Sequence, residues 1–148
     1  MASIVESDRD FELFLPDETA TLEFATDFAR ALSPPCAIAL HGELGAGKTT
    51  FVRGILRALG VDGVIKSPTY ALVESYDTDI GEIHHLDAYR IESEDDFEAR
   101  GGHEYFDGAS VQLVEWPERI ESFMPFDLHV RFVFERDGRR VFVARKGT

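Results

Sequence analysis

The chain has 148 residues, 44% hydrophobic and 29% charged, and its 28 acidic and 15 basic residues give a formal net charge of −13. This length and composition predict one soluble globular domain, residues 1–148, and exclude a disordered chain. The charge opposes autonomous binding to RNA or DNA, because phosphate neutralisation needs clustered Lys and Arg, so work on nucleic acid is expected to go through a partner. The alternative is that the acidity only keeps the protein soluble.

Three features bear on where the protein works. The longest apolar run, Cys36 to Leu40, is too short to cross a bilayer. The first residues, MASIVESDRDFE, lack the basic flank and apolar stretch of a secretory signal. The single cysteine cannot form an internal disulfide, which fits a reducing compartment. We therefore expect a cytoplasmic protein that does not interact with membranes.

The first half of the chain predicts two strand–helix pairs. Residues 10–15 (DFELFL) are typical of an edge strand, and an amphipathic helix is expected over 16–32. Residues 36–41 (CAIALH) are typical of a fully buried strand. A glycine-rich turn then leads to a second amphipathic helix over 48–59.

The second half predicts five strands and one short helix that begins at Ser93. The expected strands are 70–76, 81–87, 111–115, 127–135 and 140–144. Some of them must pair antiparallel, because the hairpins leave no room for crossover helices. The whole order predicts an α/β fold: a mixed parallel and antiparallel sheet with helices on both faces.

A phosphate-binding motif stands between the buried strand and the second helix. Residues 42–49 read GELGAGKT, which fits G-x-x-x-x-G-K-[ST] and predicts a P-loop NTPase-like domain. Glycines let successive backbone N–H groups point inward at phosphates, Lys48 can reach the β- and γ-phosphates, and the Thr49 hydroxyl can ligate Mg²⁺. The alternative, a glycine-rich turn with an exposed lysine, does not explain the flanking strand and helix. The other expected phosphate contacts are Gly45, Ala46, Gly47 and Thr50.

A phosphate loop needs a carboxylate to hold Mg²⁺, usually at the end of a neighbouring buried strand. Glu115 ends the apolar run VQLVE, and Asp87 ends IHHLD. Both can lie at the same edge of a parallel sheet, where ligands bind in α/β folds. Spacing alone does not rank them, and a solvated strand-end carboxylate is the alternative for either.

Three other features have less specific interpretations. The segment 66–70 (KSPTY) can place a hydroxyl near the γ-phosphate, or it is simply a turn ordered by proline. His84 and His85 are adjacent, so they point to opposite faces of a strand and do not share a metal; we expect no histidine metal cluster. Trp116 follows a strand, where a tryptophan most often packs in the core; stacking or a partner contact is the alternative.

Five segments occur in this order: HGELGAGKTTFVRG, KSPTYALVESY, HHLDAYRI, GGHEYF and VQLVEWPER. With them the chain resembles, from about residue 16 to residue 140, the bacterial TsaE family, the small ATPases of tRNA threonylcarbamoyladenosine synthesis. The combination of SPTY, D-x-Y-R and EWP after a phosphate loop is far more specific than the loop alone.

The resemblance implies an activity and partners. Proteins of this family bind ATP with Mg²⁺, hydrolyse it slowly and associate with TsaD and TsaB. With TsaC supplying threonylcarbamoyl-adenylate, that system modifies adenosine 37 of tRNAs that read codons beginning with A. The resemblance therefore implies that this chain acts on tRNA only indirectly, through the TsaD–TsaB complex.

The resemblance also implies roles by position. Lys48 and Thr49 match phosphate and Mg²⁺ residues, and Glu115 matches the metal-associated carboxylate. Asp87, in D-x-Y-R, matches a carboxylate implicated in hydrolysis, and Thr69 matches the threonine of a switch-like SPT loop. Lys48, Asp87 and Thr69 are thus the residues expected to act in hydrolysis.

Matches outside these motifs are less specific. Base-side contacts of the family correspond to Glu18, in the PDE segment, and to Arg139. The alternative for Arg139 is that it is simply a solvated hairpin residue. Trp116 matches a residue beside the metal carboxylate. Leu86 and Ala88 depart from the usual F-H-F-D-L-Y-R pattern, and these departures affect packing more than chemistry.

Two other nucleotide-dependent functions fit less well. A small-molecule kinase with the same loop normally carries a lid with clustered arginines, whereas residues 88–106 have only Arg90 and Arg100. A GTP switch needs an N-K-x-D segment to read guanine, and the sequence has none.

Overall fold

The computed structural model describes residues 10–43, 45–68 and 71–145. Its strands are β1 (Phe11–Leu15), β2 (Cys36–Gly42), β3 (Val73–Thr78), β4 (Gly81–Asp87), β5 (Val111–Glu115), β6 (Leu128–Glu135) and β7 (Gly138–Arg145). Its helices are α1 (Glu18–Ala31), α2 (Lys48–Ala58) and α3 (Glu94–Ala99), with short 3-10 turns at Gly102–Tyr105 and Pro117–Arg119.

These strands form one mixed sheet in the order β1-β7-β6-β2-β5-β4-β3. β2 pairs in parallel with both β5 and β6, and β4 pairs in parallel with β5. The pairs β1–β7, β3–β4 and β6–β7 are antiparallel. The carboxyl ends of β2, β4 and β5 therefore meet at one edge of the sheet, which is where α/β proteins bind ligands.

Helices cover both faces of the sheet, as the sequence predicted. On one face α1 and α2 pack around a cluster of phenylalanine rings; Phe28 and Phe51 are fully buried with ring centroids 5.2 Å apart. On the other face Phe97 of α3 is fully buried in a second cluster. Burial of these rings is the main force that holds the helices on the sheet.

Local signals explain where α1 begins and ends. Asp17 is its N-cap, and the Asp17 carboxylate accepts a hydrogen bond from the N–H of Ala20 at 2.8 Å. The helix ends at Ala31, and Leu32 is already extended two residues before Pro34. These limits lie within two residues of those that the proline pattern predicted.

Two strands, β3 and β7, differ from the sequence prediction by two residues or more at an end, and β3 ends at Thr78 rather than at residue 76. β3 begins at Val73, and Tyr70, where it was expected to begin, lies outside the described residues. β7 begins at Gly138 because this glycine pairs with Glu135, which leaves a two-residue turn. A Cβ on Gly138 would lie 2.6 Å from the carbonyl oxygen of Leu15, so the close approach of β1 requires glycine there.

None of the helices in the described ranges combines the length and apolar character that crossing a bilayer would take.

Candidate functional site

The motif segment forms a loop from the end of β2 to the first residue of α2. Gly42 and Gly47 have positive φ values of 139° and 118°, a conformation that favours glycine. A Cβ on Gly42 would lie 2.7 Å from the carbonyl oxygen of Phe132 on the neighbouring strand. Among the described residues, no side chain caps the N-terminus of α2, which leaves its first N–H groups available to a ligand. This geometry suits an anion at the positive end of the helix dipole.

A cavity of about 230 Å³ opens beside this loop. It is lined by Glu18, Gly45, Gly47, Lys48, Thr49, Thr50, Glu115 and Arg139. Ala46, also expected to contact phosphate, is fully buried, and its backbone N–H already donates to the carbonyl of Glu43 at 3.0 Å, so it would reach a phosphate only if that bond were exchanged. The fold thus brings three distant segments of the chain to the motif.

Glu115 ends β5 inside this cavity. Its Oε1 lies 3.8 Å from Nζ of Lys48, and its Oε2 lies 2.8 Å from Nε2 of His85. Burial raises the pKa of the Glu115 carboxyl, but the hydrogen bond from His85 and the Lys48 ammonium outweigh burial and leave that pKa below its ordinary value. Glu115 is therefore an ionised carboxylate next to the lysine of the loop.

Asp87 lies beside Glu115, because β4 and β5 are parallel and the two residues are direct partners in the register. Asp87 Oδ1 accepts a hydrogen bond from the N–H of Tyr89 at 2.9 Å. Burial, together with the negative charge of Glu115, raises the pKa of Asp87 despite that bond. The two strand-end carboxylates thus have opposite pKa shifts, as groups with different chemical roles often do.

Glu18 and Arg139 line the cavity from two different elements, α1 and β7. Glu18, in the first turn of α1, accepts a hydrogen bond from Nη2 of Arg53 at 2.9 Å. Arg139, near the start of β7, packs against the loop: its Cδ and Nη1 would each lie 3.1 Å from a Cβ on Gly47. Both side chains are placed where a ligand in the loop can meet them. Thr69, the expected switch-loop threonine, lies outside the described residues.

Trp116 corrects the sequence interpretation. Core packing was the favoured prediction, but the side chain is 42% exposed, so that prediction is wrong. Trp116 has a φ of 56°, a left-handed conformation that costs a non-glycine residue about 1–2 kcal/mol. Pro117 follows and begins a 3-10 turn, so the chain leaves the sheet here. The indole of Trp116 packs against the Tyr89 ring, with the two ring centroids 4.8 Å apart.

His85 is a site residue that the sequence prediction did not include. The prediction that His84 and His85 face opposite sides of the sheet is confirmed. His84 Nδ1 lies 2.7 Å from Ser75 Oγ, whereas His85 contacts Glu115. Since strand side chains alternate, His85 lies on the same face as Asp87, two residues later. That spacing was the signal available in the sequence.

His41, the last side chain before the loop, packs on His129 with Nε2 and Nδ1 3.0 Å apart. Burial, with the nearby charges of Arg131, His129 and Lys48, lowers the pKa of His41 from 6.5 to about 4. The unfolded chain therefore binds this proton between pH 6.5 and 4 while the folded chain does not, so stability should fall as pH falls through that window.

We expect urea unfolding of the native protein to show that the free energy of unfolding falls between pH 7 and pH 4.5. His41 should contribute about 1 kcal/mol to this fall, because its partial exposure reduces the full linkage effect. The variant His41→Gln should lose less stability over the same interval. An unchanged pH dependence in the variant would contradict the assigned shift.

The donors fit Mg²⁺. Thr49 supplies a hydroxyl and Glu115 an ionised carboxylate, and such oxygen ligands are what Mg²⁺ prefers. Within the described ranges, no group of three or more His, Cys, Asp or Glu side chains is arranged to hold a metal. Mg²⁺ needs no such group where phosphate oxygens and water complete its coordination.

Comparisons with known proteins identify relatives of this chain. The family model described as "Threonylcarbamoyl adenosine biosynthesis protein TsaE" matches residues 15–142. The tRNA threonylcarbamoyladenosine biosynthesis protein TsaE of Haemophilus influenzae is 37% identical over 134 residues, 86% of this chain and 85% of that protein. The Aquifex aeolicus protein of the same name is 36% identical over 138 residues, 91% of this chain and 96% of its own length.

A solved structure gives the same result for the fold. The crystal structure of Bacillus subtilis YdiB matches with a TM-score of 0.74 and 27% sequence identity, over 94% of this chain and 87% of that one. The family model covers most of the chain, and the relatives match over most of their own length. The chain therefore belongs to the TsaE family.

Proposed function

We propose that this protein binds ATP with Mg²⁺ and hydrolyses it slowly, as a subunit required for threonylcarbamoylation of adenosine 37 in tRNAs that read ANN codons. It acts through the TsaD–TsaB complex. One observation carries the ATPase part of the proposal: the phosphate loop, Lys48, Thr49 and the carboxylate of Glu115 line a single cavity. The names of the relatives support the pathway.

The phosphate tail of ATP is held by backbone N–H groups of the loop and by the Lys48 ammonium. Lys48 Nζ lies 3.8 Å from Glu115, so it is already at the end of the cavity where β- and γ-phosphates would meet a metal. Thr49 and Glu115 would hold Mg²⁺, which neutralises developing charge on the phosphates when bound. Glu115 is suited to this because its lowered pKa keeps it ionised.

Asp87 orients the attacking water. Its carboxylate stands beside Glu115 but is held by the N–H of Tyr89 rather than by Lys48 or His85. A raised pKa makes it a better proton acceptor than an ordinary aspartate, which suits a residue that positions water for attack. We propose that Thr69 also acts in hydrolysis.

The base side of the nucleotide is contacted by Glu18 and Arg139. Both line the cavity together with Gly45 and Gly47. Arg139 packs against Gly47, so its guanidinium is held close to the loop rather than free in solvent. These two side chains therefore contact the adenine base.

The net charge of −13 supports indirect action on tRNA. A chain with this excess of acidic residues repels phosphates outside its own anion site, so tRNA contact is assigned to the partner proteins. The ATP cycle then supports turnover of the TsaD–TsaB machine.

ATP turnover measured with and without TsaD–TsaB tests the proposal. We expect slow hydrolysis alone and stimulation by the complex of about tenfold or more, as when a partner completes a phosphoryl-transfer site. The variant Lys48→Ala gives the background from contaminating ATPases. Stimulation by small acceptor molecules instead of TsaD–TsaB would overturn the proposal in favour of a kinase.

A further inference from the structure

A buried histidine touches the candidate metal carboxylate. His85 is 1% exposed and lies on β4, and its Nε2 is 2.8 Å from Oε2 of Glu115. Because an ionised carboxylate only accepts, the Nε2–H of His85 is the donor, and the hydrogen-bond network assigns the tautomer.

The two oxygens of the Glu115 carboxylate therefore have different neighbours. Oε2 is bound to His85, while Oε1 lies 3.8 Å from Lys48 Nζ on the side of the phosphate loop. A hydrogen bond to one oxygen restricts the rotation of a carboxylate about its terminal bond. The contact with His85 thus keeps Oε1 on the side of Lys48, which lines the cavity together with Glu115.

The other ring nitrogen indicates that His85 does more than fill space. Its Nδ1 is buried and has no hydrogen-bond partner among the residues that the structure describes. A buried polar atom without a partner is costly, and a methionine or leucine at this place would avoid that cost. The hydrogen bond to Glu115 is the feature that an apolar residue does not replace.

We propose that His85 is a positioning residue of the Mg²⁺–ATP site, which holds Oε2 of Glu115 so that Oε1 is available to the metal. This inference rests on the proposed function. Hydrogen-bond partners of metal-binding groups commonly change metal affinity by about 10–100-fold when they are removed.

Three variants test the inference. His85→Met has similar reach and volume but no donor, whereas His85→Gln keeps an N–H donor at nearly the same distance from the backbone. His84→Met removes the neighbouring buried histidine, which bonds Ser75 on the opposite face, and controls for loss of a buried ring. ATP affinity is measured by calorimetry for each variant, with excess Mg²⁺ and with EDTA.

We expect the ratio of ATP affinity in Mg²⁺ to ATP affinity in EDTA to be about tenfold or more lower in His85→Met than in the native protein. The affinity of this variant in EDTA should stay the same. His85→Gln and His84→Met should keep the native ratio. A native ratio in His85→Met, or a loss in His85→Gln as large as in His85→Met, overturns the assignment of His85 alone. A native chain that gains no affinity from Mg²⁺, or binds no ATP, overturns the proposed function as well.

A second measurement does not use ATP or Mg²⁺. Imidazole nitrogen NMR of the native protein should show His85 as the Nε2–H tautomer, with a signal that changes in Glu115→Gln. The opposite tautomer overturns the inference. If His85→Met does not fold, His85→Asn replaces it, because the shorter amide does not reach Oε2; native behaviour of that variant would also overturn it.

Discussion

Replacing Lys48 with alanine should weaken ATP binding by about 100-fold or more, because several charge-assisted hydrogen bonds to phosphate are lost together. The ammonium is 3.8 Å from Glu115 and its side chain is only 11% exposed, so water compensates poorly for its removal. Deleting it also leaves the Glu115 carboxylate without its cationic neighbour in the loop. Calorimetric titration with ATP and Mg²⁺ measures the effect.

A matched control separates this effect from a change in net charge. Arg30→Ala removes one positive charge from an exposed position in the last turn of α1 and should leave ATP affinity unchanged. A second variant, Lys48→Met, keeps the aliphatic stem and should bind as poorly as Lys48→Ala. If either Lys48 variant bound ATP with native affinity, the loop would not be the phosphate site.

The loop and its flanking elements could be predicted because their signals are local. G-x-x-x-x-G-K-T spans eight residues, the strand before it is continuously apolar, and the helix after it has an apolar stripe. Gly42 and Gly47 occupy positive-φ positions that the motif itself implies. Nothing distant along the chain is needed for any of these.

Features that depend on distant contacts were predictable only in part. Alternation along β4 indicated that His84 and His85 face opposite sides, but not that His85 meets Glu115, since that contact requires the register of β4 on β5. The exposure of Trp116 was not predicted, because the hydrophobicity of a tryptophan indicates burial. Its left-handed backbone, at the turn that leads into Pro117, is a feature of the folded structure that hydrophobicity does not indicate.

Spacing did not rank Asp87 against Glu115, whereas the structure gives them different environments. Glu115 is bound by His85 and faces Lys48, and its pKa is lowered. Burial, with a smaller contribution from the charge of Glu115, raises the pKa of Asp87. Opposite shifts at adjacent strand ends favour a metal-holding role for the first carboxylate and a water-orienting role for the second.

Asp87→Asn should therefore reduce ATP hydrolysis by about 100-fold or more while Mg²⁺-dependent ATP affinity stays near the native value. The asparagine side chain keeps an oxygen that accepts from the N–H of Tyr89, so local structure is preserved and only the basic carboxylate is lost. Glu115→Gln is the matched comparison: it should weaken ATP binding in Mg²⁺ and leave binding in EDTA nearly unchanged. Single-turnover hydrolysis at saturating ATP and calorimetry separate the two effects.

The pH dependence of ATP hydrolysis by the native protein also tests the different roles of Asp87 and Glu115. Only the ionised Asp87 accepts a proton from water, and its raised pKa means that protonation begins at a higher pH than for an ordinary aspartate. Hydrolysis at saturating ATP should thus decline on acidification before Glu115, whose pKa is lowered, becomes protonated.

If Asp87→Asn lost Mg²⁺-dependent affinity and Glu115→Gln lost only turnover, the two roles would have to be exchanged.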